Sequence, residues 1–230
     1  MGKHLTRDLE ALQRRVTRMA ARVEDAIYAA IRALQDRDSA PAQEVIVGDA
    51  VIDALENEIY EECLKLLALH QPVAVDLRQI ATTLTVTTDL ERMGDLAVDI
   101  AERADALAGL PNILSTGPGP GLAEKLLRMT DMATGMVREG LDAFVNLDTR
   151  QARRVVRLDD EVDRYHAEII RDLIVRMRSD PALVEPGLSL FSAVRHLERI
   201  ADHATNIAED VVYLVDGEIL RHRPESAQTE

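Results

Sequence analysis

Carboxylates spaced four residues apart recur along this 230-residue chain, and they are its best candidates for chemistry. Glu91 with Asp95 and Glu198 with Asp202 form two such pairs, each in the setting Leu-Glu-Arg-x-x-Asp. Asp49 with Asp53 and Asp159 with Asp163 form two more. Residues four apart stand about one turn apart on a helix face, so two pairs on facing helices build a cage of roughly four to six oxygens. Packed without a cation, such acids repel. They then stay protonated, stay hydrated, or take up a metal. All-oxygen ligation suits hard or borderline ions such as magnesium, manganese or iron. His166 and His203 offer nitrogen ligands in the second half only. The plainer alternative is a solvated acidic groove.

The acids belong to a repeat. Glu91, Asp95 and Glu102 match Glu198, Asp202 and Glu209 at a constant offset of 107, with Asp99 standing opposite Asn206. Asp49 and Asp53 match Asp159 and Asp163 at an offset of 110. A solvated acid drifts freely in sequence, whereas these are held in register by both copies, which points to a duplicated site. At about 100° per residue, Val73, Leu77, Ile80, Leu84, Glu91, Asp95 and Glu102 fall close to one line, so the acids continue an apolar row.

The elements that must carry these residues are six helical segments. Leu9, Leu12, Val16, Met19, Val23, Ala26, Ala30 and Leu34 recur at three- and four-residue steps, and the spacing predicts a first helix over 5–35. Further helices are expected from about Ala42 to Leu69, Val73 to Leu107, Leu122 to Asn146, Arg150 to Arg178, and from beyond Pro186-Gly187 to about Val215. The Gly/Pro-rich stretch 109–121 reads as a linker between 1–108 and 122–217, and 218–230 as a polar tail. Short breaks make neighbouring helices antiparallel. The fold class is all-α: two tandem antiparallel three-helix bundles related by internal duplication.

Composition excludes several functions. A formal net charge of −14 argues against nucleic acid and against a polybasic grip on anionic lipid. The single cysteine, Cys63, rules out an intramolecular disulfide and a cysteine-rich zinc site, and reads as a packed thiol. The N-terminus has no apolar signal core and no run approaches a membrane span, so direct membrane insertion is not expected and the chain reads as cytoplasmic. No P-loop, dense Arg/Lys cluster or Ser/His/Asp arrangement is evident. Arg92 and Arg199 are expected to pair with neighbouring carboxylates, and the threonines between Thr82 and Thr88 to bond back to helix carbonyls.

At Leu90-Glu-Arg-Met-Gly-Asp95 and Leu197-Glu-Arg-Ile-Ala-Asp-His-Ala-Thr-Asn-Ile-Ala-Glu209 the chain resembles the PhoU family of phosphate-uptake regulators. The resemblance runs from residue 1 to about 217 and includes the duplication. It implies a cytoplasmic, dimeric, non-enzymatic negative regulator of phosphate uptake and of the phosphate regulon. Such proteins link the ATPase subunit of the phosphate ABC transporter to a phosphate-sensing histidine kinase. The resemblance further implies iron or zinc on Asp49, Asp53, Glu91 and Asp95, and on Asp159, Asp163, Glu198 and Asp202. Asp99, Glu102, His166, Asn206 and Glu209 are further candidate ligands, and no organic cofactor is expected. The alternative is a metal-binding helical bundle or dinuclear metal enzyme unrelated to phosphate, for which Asp163-x-x-His166 is the one near match to a Glu-x-x-His motif.

Overall fold

In a computed structural model, which describes residues 3–115 and 121–217, the described chain forms six long helices and no strand. They are α1 (Lys3–Asp36), α2 (Ser39–His70), α3 (Ala74–Leu107), α4 (Leu122–Asn146), α5 (Thr149–Ser179) and α6 (Val184–Asp216), with a short 3₁₀ turn at Pro181–Leu183. The tail 218–230 and positions 116–120 of the expected linker lie outside the described residues.

The two halves use the same turn. Arg37 and Leu147 take left-handed backbone (φ 56° and 55°) at the ends of α1 and α4. Asp38 and Asp148 follow as N-caps, accepting from the Ala40 N–H in one case and the Arg150 and Gln151 N–H groups in the other. An N-cap carboxylate satisfies donors that have no intrahelical acceptor. The linker is pinned by two arginines: Arg37 donates to the carbonyls of Leu107 and Leu110, and buried Arg176 donates to that of Ile113 at 2.6 Å.

One boundary differs from expectation. Pro186 and Gly187 do not precede the last helix but lie buried in its first turns. Proline is tolerated there because a first-turn N–H has no intrahelical partner to lose. Gly187 lets the neighbours close in: a Cβ there would stand 2.6 Å from Met177 Sδ and 3.2 Å from Ile113 Cδ1, so those side chains would have to shift.

Within each half every helix packs on the other two; between halves, α3 packs along α6 and α1 touches α4. The central pair is antiparallel, since Thr85 meets Asp210 while Asp99 meets His196. Leu90, Met93, Ala97 and Ile100 of α3 and Leu197, Ile200, Ala204 and Ile207 of α6 are fully buried. No described contact joins α2 to α5. α2 thus lies against α3 and α5 against α6, each within its own half.

Candidate functional site: two acidic clusters and the seam between them

The α2–α3 cluster is built from two helix faces brought close by a small residue. Gly94 lies between Glu91 and Asp95, and a Cβ on it would meet Ile52 Cδ1 at 3.1 Å and Asp49 Oδ1 at 3.4 Å. The charges of Asp49, Asp53, Glu56, Glu91 and Asp95 act on one another across this contact. Burial, then neighbouring carboxylates, raise the pKa of Asp49, Glu56 and Glu91. Arg92 opposes this, with its guanidinium 3.1 Å from Asp95 and 3.5 Å from Glu91.

The α5–α6 cluster repeats the plan with Asp159, Asp163, Glu198 and Asp202. Burial first, then the neighbouring acids, push Asp159 and Asp202 up to about 6 each. The Thr205 hydroxyl beside Asp159 pulls the other way, as do His203 and Arg199 beside Asp202. An open groove of about 610 Å³ lies over this cluster, lined by Asp159, Arg199, Asp202, His203, Asn206 and Glu209 among others. His166 sits one turn beyond Asp163, with its Nε2 buried and free of hydrogen-bond partners among the described residues. At the offset of 110 it replaces Glu56, which joins the first cluster although it was not among the expected ligands.

The donor chemistry of both clusters suits a hard cation, but the cages are not closed. Among the described residues no three His, Cys, Asp or Glu side chains are gathered tightly enough to hold a metal ion.

Other expected ligands lie elsewhere. Asp99 faces the opposite bundle, 3.6 Å from His196. Glu102 is exposed beside Arg103. His203 and Asn206 both turn to Asp89 of α3, at 2.8 and 3.3 Å. Asp89 and Asp210 are each only 8% exposed, and the Thr85 hydroxyl donates to Asp210. A polar seam thus runs between the clusters along α3 and α6. Asp89 and Asp210 have no carboxylate four residues away, so spacing did not flag them. The threonines do back-bond, Thr83 to Gln79 and Thr87 to Thr83, with Thr85 adding the cross-bundle bond.

Two further groupings form only in the fold. Ser192, His196 and Asp99 do line up, with Ser192 Oγ 3.1 Å from His196 Nε2 and Asp99 3.6 Å from His196 Nδ1. The second distance is too long for a hydrogen bond, and Ser192 is in mid-helix, where backbone N–H groups are already bonded and form no oxyanion hole. The trio is polar packing in the seam. Arg14, Arg15 and Arg18 also gather along one groove with Glu58, which holds Arg15 and Arg18 at 3.0 and 3.3 Å.

Tandem acidic bundles of this kind match the PhoU domain, which covers residues 16–104 and again 126–211. The phosphate-specific transport system accessory protein PhoU homolog of Pseudomonas putida is 37% identical over 96% of this chain and 84% of its own length. That of Aquifex aeolicus is 38% identical over 95% of this chain and 96% of its own. The crystal structure of PhoU from Pseudomonas aeruginosa superposes with a TM-score of 0.85 at 38% identity, covering 93% of this chain and 99% of that one. The phosphate transport system regulatory protein PhoU from Streptococcus pneumoniae gives 0.84 at 27% identity, covering 94% and 99%. The chain belongs to the PhoU family. No helix among its described residues is long and apolar enough to cross a membrane.

Proposed function

We propose that this chain is a cytoplasmic accessory protein that restrains phosphate uptake and phosphate-regulated gene expression through protein contacts rather than catalysis. The relatives' names speak for the phosphate system. One structural observation carries the mechanism: two acidic clusters recur in register on α2–α3 and α5–α6, with carboxyl pKa values raised in both. A bound metal would be held by Asp49, Asp53, Glu91 and Asp95 in one bundle and by Asp159, Asp163, Glu198 and Asp202 in the other. It would supply positive charge that neutralises the crowded carboxylates and would leave a surface able to meet an anion or a partner's acids. The chain's own residues set the spacing, with Gly94 bringing α2 onto α3. The expected partners are the ATPase subunit of the phosphate transporter and a phosphate-sensing histidine kinase, with the protein as a homodimer.

The test is complementation. A strain lacking this gene is expected to express phosphate-starvation genes in phosphate-rich medium, and the wild-type chain to silence them. Asp95→Ala/Asp202→Ala, accumulating to the same level, is expected to fail. Full silencing by the double variant would remove the acidic clusters from the mechanism.

A further inference from the structure

The seam between α3 and α6 has two stations that duplication makes equivalent. At the offset of 107, Thr85 corresponds to Ser192, Asp89 to His196, Asp99 to Asn206 and Arg103 to Asp210. The first station is complete. Asp89 takes His203 and Asn206, and Asp210 takes the Thr85 hydroxyl, so each buried carboxylate is met by donors of the opposite bundle. The second station keeps a hydroxyl at Ser192 but puts His196 and Arg103 where the first has its two acids.

Donors are thereby left without an acceptor. Arg103 Nε and His196 Nδ1 are buried with no hydrogen-bond partner among the described residues. Ser192 meets only His196, at 3.1 Å within its own helix. Arg103, Arg195 and Arg199 all act electrostatically on His196, so two helices gather three cations that sequence spacing did not show together. Arg92, the counterpart of Arg199, is held by Asp95 and Glu91. Arg195 and Arg199, both exposed, form no ion pair or hydrogen bond among the described residues. The acids that adjoin the station stand back from it. Asp99 is 3.6 Å from His196 and Glu102 3.9 Å from Arg103, both beyond hydrogen-bond reach, and Asp202 feels Arg199 only through its charge.

We infer that this second station binds an oxyanion of the charge and shape of phosphate, which supplies the acceptor that Asp89 and Asp210 supply in the first. Arg103 and His196 face it from within the seam, and Arg195 and Arg199 from the solvent side. Guanidinium groups suit that role because their planar donors fit a phosphate's oxygens in pairs. The inference goes beyond the regulatory reading and needs no metal in either acidic cluster.

The test is calorimetric titration of the chelator-treated full chain with inorganic phosphate and, separately, with phosphoserine. Saturable binding is expected, and the tighter of the two probes tells free phosphate from a phosphorylated side chain as the source. Arg103→Gln/Arg195→Gln is expected to weaken binding by about tenfold or more. Arg14→Gln/Arg18→Gln removes the same charge outside the seam and is expected to leave binding unchanged. Arg103→Asp installs the residue that the fold already carries at Asp210 and is expected to abolish binding. One readout depends on no folded variant: in the wild type, the ring NMR signals of His196 are expected to move on titration while those of His70 stay. No saturable binding of either probe, equal weakening by Arg14→Gln/Arg18→Gln, or a His196 ring that does not respond would each overturn the inference.

Discussion

The α2–α3 and α5–α6 clusters occupy equivalent places in one duplicated fold, yet they differ in how their charge is balanced. In the first, Arg92 lies against both Asp95 and Glu91, and the carboxyl groups are raised without reaching a large shift. In the second, burial and repulsion dominate and push Asp159 and Asp202 to about 6. Glu56 of the first is replaced by His166 in the second, exchanging an oxygen donor for a nitrogen. Duplication has kept the acids in register and left their compensation free to diverge.

The largest expected effect tests a position where the halves differ outright. Leu66 of α2 corresponds to Arg176 of α5, which is buried and holds the Ile113 carbonyl. Arg176→Ala is expected to cost about 2–3 kcal/mol in urea unfolding, the range for a lost charged hydrogen bond. Arg176→Leu, the first half's own residue, should recover at least half of that. An unchanged midpoint for Arg176→Ala would show that the linker does not depend on this bond.

Next comes the charge balance itself. In chelator-treated protein at pH 7.5, Asp159→Asn/Asp202→Asn is expected to stabilise by about 1 kcal/mol, discounted because both groups are partly solvated. Asp49→Asn/Asp95→Asn should gain less, because it also strips Arg92 of a partner. Equal gains would erase the distinction between the clusters.

The pH dependence follows with its sign. Asp159 and Asp202 have folded pKa values of about 6, above the ordinary aspartate value of 3.8, so the folded state binds protons more tightly there. Their destabilising contribution is full above about pH 6 and fades as pH falls towards 3.8. Metal-free wild type is expected to melt higher at pH 5 than at pH 7.5, and Asp159→Asn/Asp202→Asn to flatten that difference. A steeper fall in stability towards pH 5 in the wild type than in the variant would contradict the assignment.

The smallest effect concerns Cys63, whose counterpart in α5 is Leu173. Burial pushes this thiol up to about 12, so it should be unreactive toward disulfide reagents at pH 8 until the protein unfolds. Cys63→Leu should change the melting temperature little.

Much of this architecture was legible because helix periodicity and duplication are both written locally. The three- and four-residue steps from Leu9 to Leu34 gave α1, and the constant offsets paired Asp49, Asp53, Glu91 and Asp95 with their counterparts. What escaped depended on partners distant in sequence. Asp89 meets His203 across 114 positions and Thr85 meets Asp210 across 125, and neither acid has a four-residue companion. The first turns of α6 were hidden by Pro186 and Gly187, residues that usually mark a break. Asp99, Glu102 and Asn206 shared the motif's register but not its direction: α3 and α6 each pack on three helices, so Asp99 and Asn206 meet the opposite bundle while Glu102 is left exposed.

The most direct test of the acidic clusters is elemental analysis of protein purified without chelator or affinity-tag metal, wild type beside Asp95→Ala/Asp202→Ala. The account predicts at least one iron, zinc, manganese or magnesium ion per cluster, lost in the double variant. No stoichiometric metal in the wild type, or the same content in both proteins, would contradict it.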